Sequence, residues 1–174
     1  MPSSTQLFSK YSKNTVFVET GSYAGDGIQN AINSGYKQIY SIELSQIHYD
    51  MCKNRFKDRS DVFLIFGDSC EVLEPTISSI DQTITFWLDG HYSCGKTAKG
   101  KYWSPLMQEL QAIKKHKLNN HTIMIDDMRC WNENNPEFKF GKVQIEQKLL
   151  EINSNYKFEY FFGVEENDIL VASL

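Results

Sequence analysis

Three carboxylates and one imidazole have the types and spacing to do chemistry: Asp89 and His91 in Leu88-Asp89-Gly90-His91, and Asp126 with Asp127 in Ile125-Asp126-Asp127-Met128-Arg129. Each run closes an apolar stretch rich in β-branched residues, Ile84–Leu88 and Thr122–Ile125, that reads as a strand. If those strands are parallel neighbours, their ends lie about 4.8 Å apart and Asp89, Asp126 and Asp127 converge. Like charges that close raise each other's pKa unless a cation or arginine intervenes. Oxygen-only ligands suit Mg²⁺, Mn²⁺ or Ca²⁺. His91, whose ring titrates near neutral pH, is the candidate general base. Plainer roles stay open: Asp126 and Asp127 can cap backbone or pair with Arg129, and His91 can hold its loop. His91 and Cys94 form a His-x-x-Cys pair, but no second pair completes a zinc site.

A second constellation lies upstream. The apolar run Val16–Val18 passes through Glu19 into Gly21, Ser22, Gly25 and Gly27, then into helical spacing, and a further run, Ile39–Ile42, ends at Glu43. Strand, glycine turn, helix and a strand ending in an acid make half of a doubly wound nucleotide-binding fold, with the acid placed to accept from a ribose. The dinucleotide spacing Gly-x-Gly-x-x-Gly is not met, because Tyr23 and Asn30 stand where glycines are required.

These residues need a scaffold, and the chain alternates strand-like and helix-like segments from Thr15 onward. Residues 1–14 read as a short helix on Leu7, Phe8 and Tyr11, or as an extension. After the second strand come a helix over Ser45–Phe56, a strand Val62–Phe66 ending in Gly67-Asp68-Ser69, and a helix over Cys70–Ile80 that Pro75 should bend or shorten. Ser104-Pro105 is an N-cap with proline at the first helical position, for a helix to about Lys115. Between them the loop Tyr92–Trp103, basic and glycine-hinged, is a lid or a solvated surface loop. Met128–Phe140 reads as irregular, followed by a helix over Val143–Asn153. The runs Phe158–Val164 and Ile169–Ser173 are too close for a crossover helix and should pair antiparallel.

With Glu19 counted, the first loop resembles the first motif of the class I S-adenosylmethionine-dependent methyltransferases: an acid, one residue, then glycines at two-residue intervals. Glu19, Gly21 and Gly25 match, and Tyr23 replaces a common glycine. The resemblance extends to Glu43, to Asp68-Ser69, to Asp89 and to the terminal hairpin. It implies one α/β domain over residues 1–174, with a Rossmann-like, mostly parallel seven-stranded sheet of order 3-2-1-4-5-7-6, helices on both faces and an antiparallel final hairpin. It further implies S-adenosylmethionine held by Glu19, Gly21, Ser22, Gly25, Glu43, Asp68, Ser69 and Asp89. The cofactor carries an ammonium and a sulfonium, so carboxylates suit it better than a phosphate cradle. Metal-dependent O-methyltransferases of catechols and macrolide sugars carry an Asp after strand four and an Asp-Asp or Asp-Asn pair after strand five. That pattern implies a metal site of Asp89, Asp126 and Asp127, with Mg²⁺ or Mn²⁺; with His91 as the base chosen on its own chemistry, the expected catalytic residues are His91, Asp89 and Asp126. The expected acceptor is a hydroxyl of a sugar or glycan. Alternatives are a small aromatic or other small molecule, or a cofactor-binding module without catalysis.

Composition narrows the field. The 174 residues carry a net charge of −4 with acids and bases interspersed, so the basic footprint of a nucleic-acid partner is missing. Four dispersed cysteines without a Cys-x-x-Cys pair suggest free thiols in a reducing, cytoplasmic setting. No run reaches the roughly 18 apolar residues of a membrane span. The residues do not specify an oligomeric state.

Overall fold

The computed structural model describes residues 4–95, 97–132, 137–138 and 140–174. Lys96 of the basic loop and part of the Met128–Phe140 segment therefore lie outside the described residues, as do residues 1–3. Seven strands form one sheet: β1 Val16–Thr20, β2 Gln38–Glu43, β3 Val62–Phe66, β4 Ile84–Leu88, β5 Thr122–Ile125, β6 Lys157–Phe161 and β7 Ile169–Ser173. Their order is β3-β2-β1-β4-β5-β7-β6, as the family resemblance implies. β7 runs antiparallel to both its neighbours, and β1 to β5 are mutually parallel.

Alternation along the strands separates two cores. Val16, Val18, Phe86, Leu88, Ile123 and Ile125 face one side, packed by α4 (Ser69–Ser78), α5 (Leu106–Lys114) and α6 (Lys142–Ile152). Phe17, Trp87 and Met124 face the other, packed by α1 (Ser4–Lys10), α2 (Asp26–Asn33) and α3 (Gln46–Arg55). β1 and β4 are buried throughout, as central parallel strands must be. Phe8 of α1 is fully buried against Phe17 and Trp87, so the N-terminal segment is a docked helix.

Some element boundaries depart from expectation. α4 continues three residues past Pro75, so the ring does not stop the helix there, although it ends short of Ile80. β6 stops at Phe161 because the chain then turns: Val164 N–H donates to Asp168 Oδ2 at 2.8 Å, Gly163 N–H donates to the Glu165 carbonyl at 3.0 Å, and Asn167 adopts φ +62°. The cap falls one residue later than expected: α5 starts at Leu106 with Pro105 at the N-cap position in helical backbone, and Ser104 Oγ accepts the Leu106 N–H at 3.2 Å. Among the described residues, no helix is long and apolar enough to cross a membrane.

Candidate active site

The order places β1 between β2 and β4, so helices depart to opposite faces there and a crevice opens beyond the carboxyl ends of the strands. A cavity of about 460 Å³ lies at that edge. Gly21, Glu43, Asp68, Ser69, Asp89, His91 and Asp127 all line it. Of the remaining candidates, Glu19, Ser22, Gly25 and Asp126 do not.

The first loop is built by hydrogen bonds between its neighbours. Gly21 N–H donates to the Ile42 carbonyl at 2.9 Å, continuing the β1–β2 ladder, and Gly21 has φ +85°. A Cβ there would overlap the Asp89 carbonyl, so only glycine lets the two strand ends approach. Tyr23 keeps the left-handed backbone, φ +45°, despite its side chain. Its N–H donates to Glu43 Oε2 at 2.8 Å, its carbonyl accepts from Cys52 Sγ at 3.4 Å, and its ring packs on His48 at 4.5 Å. The other Glu43 oxygen accepts the Ser45 N–H at 2.7 Å, so two backbone donors fix this acid at the cavity wall.

Glu19 is fully buried on the α2 side of the sheet. Ser41 Oγ donates to its Oε1 at 2.5 Å, and Ser22 Oγ lies 2.5 Å from Ser41 Oγ. Oε2 has no hydrogen-bond partner among the described residues, and it lies against Gly27. Burial, with a smaller push from the charge of Glu43, raises Glu19 to about 8 in spite of the Ser41 hydrogen bond. Glu19, Ser22 and Ser41 therefore stiffen the glycine loop from behind. Asp68 caps α4, its Oδ1 accepting the Cys70 N–H at 3.0 Å, while its Oδ2 accepts the Lys101 N–H at 3.2 Å. That second bond ties the 92–103 loop across the cavity, where Thr97, Ala98, Gly100 and Tyr102 form part of the lining.

At the ends of β4 and β5 the imidazole of His91 lies between two acids. Nδ1 is 3.5 Å from Asp89 Oδ1 and Nε2 is 3.2 Å from Asp127 Oδ2, with Ser93 Oγ 3.0 Å from Nε2. Burial lowers the His91 pKa, Asp127 raises it, and Arg129 lowers it. Asp89 is held well above the carboxylate range by burial and then by the charges of Asp126 and Asp127. Asp126 Oδ1 accepts the Asp127 N–H at 2.8 Å, and burial with Asp127 pushes it up to about 7.

The expected convergence of Asp89, Asp126 and Asp127 on one ion does not fit this arrangement. Strand spacing fixes where backbones end, not where side chains point, and here the His91 ring separates Asp89 from Asp127. The carboxylate oxygens that do lie within 4.8 Å of one another belong to Asp126, Asp127 and Asp168. Arg129 already contacts two of them, Asp127 and Asp168.

Two participants are absent from the sequence-level list. Asp168, in the turn before β7, is fully buried on its side chain and anchors Arg129. Glu109, 1 % exposed on α5, lies behind Gly90 and is raised to about 7 by burial. Glu109 had a signal: it sits in the apolar stripe Leu106, Leu110, Ile113, where an acid is out of place.

No protein-family model matches the chain, and no curated protein sequence does. Solved structures do. An O-methyltransferase from Bacillus cereus in complex with SAH superposes with a TM-score of 0.69 at 11% identity, over 100% of this chain and 82% of that one. The O-methyltransferase TomG from Streptomyces achromogenes, involved in tomaymycin synthesis and solved with SAM, gives 0.68 at 11% identity, over 98% and 78%. An SAH-bound methyltransferase from Podospora anserina gives 0.65 at 13% identity, over 97% and 75%. The chain has the class I methyltransferase fold. In this methyltransferase fold the cavity at the ends of β1, β2 and β4 is the ligand crevice expected of an open α/β sheet.

Proposed function

We propose that this chain transfers a methyl group from S-adenosylmethionine to a hydroxyl of a small-molecule acceptor, a sugar or glycan being the favoured class. The observation that carries the reading is the single cavity shared by Gly21, Glu43 and Asp68 at one end and His91, flanked by Asp89 and Asp127, at the other. Glu43 accepts the ribose hydroxyls with the lone pairs its backbone donors leave. Asp68 and Ser69 edge the adenine, and Asp89 faces the cationic methionine end. Glu19, Ser22 and Gly25 act on the cofactor through the loop they hold. The sugar preference rests on the Asp-Gly-His and Ile-Asp-Asp-Met-Arg runs.

With Nε2–H donating to Asp127, His91 Nδ1 is the nitrogen left to take a proton. It has no hydrogen-bond partner among the described residues. The acceptor oxygen attacks the methyl carbon, the carbon–sulfur bond breaks with its electron pair going to sulfur, and the hydroxyl proton passes to Nδ1. The products are the methyl ether and S-adenosylhomocysteine. The His91 side chain is 6 % exposed and packs edge-on against Trp131 and Phe138, so turnover requires the cover over this ring to admit the acceptor. Mg²⁺ or Mn²⁺ on Asp89, Asp126 and Asp127 has no part in this reading, since His91 contacts Asp89 and Asp127 and Arg129 contacts Asp127.

Calorimetric titration with S-adenosylhomocysteine, followed by transfer of labelled methyl to a panel of sugars and phenols, tests the proposal. Micromolar binding and labelled sugar ether are expected. No binding refutes the cofactor; binding with transfer only to phenols refutes the acceptor class.

A further inference from the structure

Asp126 and Asp127 at the end of β5, with Asp168 before β7, make a compact acidic cluster beside the cavity. Such a group is unfavourable without a cation, and the cation here belongs to the chain. The Arg129 guanidinium contacts Asp127 Oδ1 and Asp168 Oδ2 through one nitrogen. Asp168 is itself fixed: it accepts the Arg129 N–H at 3.1 Å and the Val164 N–H at 2.8 Å, and its carbonyl accepts the Met128 N–H at 2.7 Å. Asp127 adopts a left-handed backbone, φ +58°, that turns its carboxylate between Arg129 and His91. Acid and base therefore alternate along one line: Asp168, Arg129, Asp127, His91, Asp89.

We propose that Arg129, anchored by Asp168, is the resident cation of this site, in place of a divalent ion, and that it holds Asp127 against His91. Both are positioning residues, and neither lines the cavity. Guanidinium suits the task because it stays charged, and here one of its nitrogens reaches both carboxylates. A divalent ion in the same cluster would face that fixed positive charge. The consequence for His91 as base rests on the proposed methyl transfer; the consequence for metal binding does not.

The test is titration of Mn²⁺ into the full chain, following free Mn²⁺ by its paramagnetic resonance, for wild type, Arg129→Lys and Arg129→Gln. Wild type and Arg129→Lys are expected to bind no Mn²⁺ below millimolar concentration. Arg129→Gln is expected to bind one ion per chain at least tenfold more tightly. One micromolar site in wild type overturns the proposal, and so does a folded Arg129→Gln chain that gains nothing. If Arg129→Gln does not fold, as circular dichroism would report, wild type and Arg129→Lys still decide. S-adenosylhomocysteine affinity, measured alongside, separates failure of the cofactor reading from failure of this one.

Discussion

Gly27 lies against the Glu19 carboxylate so closely that a Cβ at position 27 would overlap Oε2 and stand 3.2 Å from Cδ. Glu19 has nowhere to withdraw, being fully buried and held by Ser41. Gly27→Ala should therefore destabilise the fold by about 1–3 kcal/mol, the cost of overpacking a filled site, even though alanine is the better helix former. Chemical denaturation measures this, and calorimetry should show weaker S-adenosylhomocysteine binding because α2 and its loop move together. A variant as stable as wild type would mean that Glu19 rearranges freely.

Glu109 makes stability depend on pH. Its carboxyl is raised from 4.5 to about 7, so its contribution is fully present below pH 4.5 and is lost as the pH rises through about 7. Glu109→Gln keeps the shape and removes the titration. The difference in unfolding free energy between variant and wild type should be near zero at pH 4.5. It should grow to on the order of 1–3 kcal/mol in the variant's favour by pH 8. A difference independent of pH would assign Glu109 a partner that holds it charged.

His91→Asn should lower turnover by about 10²–10⁴-fold, the usual share of a general base, with S-adenosylhomocysteine affinity changed by no more than about twofold. Asp127→Asn removes the charge that raises His91 and leaves burial and Arg129, which lower it. The base is then neutral at lower pH, and the ascending limb of the kcat profile should move to lower pH. A limb that stays in place would show that another group accepts the proton.

Asp68→Ala should remove both the α4 cap and the tie to Lys101, costing about 1 kcal/mol of stability. Tryptic cleavage after Lys99 or Lys101 should accelerate, and the KM for S-adenosylmethionine should rise. Unchanged cleavage would show that the loop is held by its own contacts, such as Lys99 over Trp103 at 4.1 Å.

The strand order came only with the family resemblance; most element limits were legible in the sequence because they depend on local runs, as where β3 ends with the apolar run Val62–Phe66. The acids at strand ends were legible for the same reason, since a parallel sheet gathers such ends at one edge. What each carboxylate touches was not. Asp127 and Arg129 are two residues apart, but Asp168 reaches them only through tertiary structure, across 39 positions from Arg129. Glu19 looked like a cavity acid because its strand points at the cavity; side chains alternate along a strand, and its own points beneath α2.

The placement of β7 also bears on synthesis. β7 follows β6 in the chain yet lies between β5 and β6, so on the ribosome β5, already beside β4, has its other edge unpaired until residues 169–173 emerge. Asp168, the anchor of Arg129, arrives with that same strand. A chain ending before Asp168 would thus lack both the strand that covers the open edge of β5 and the anchor of Arg129.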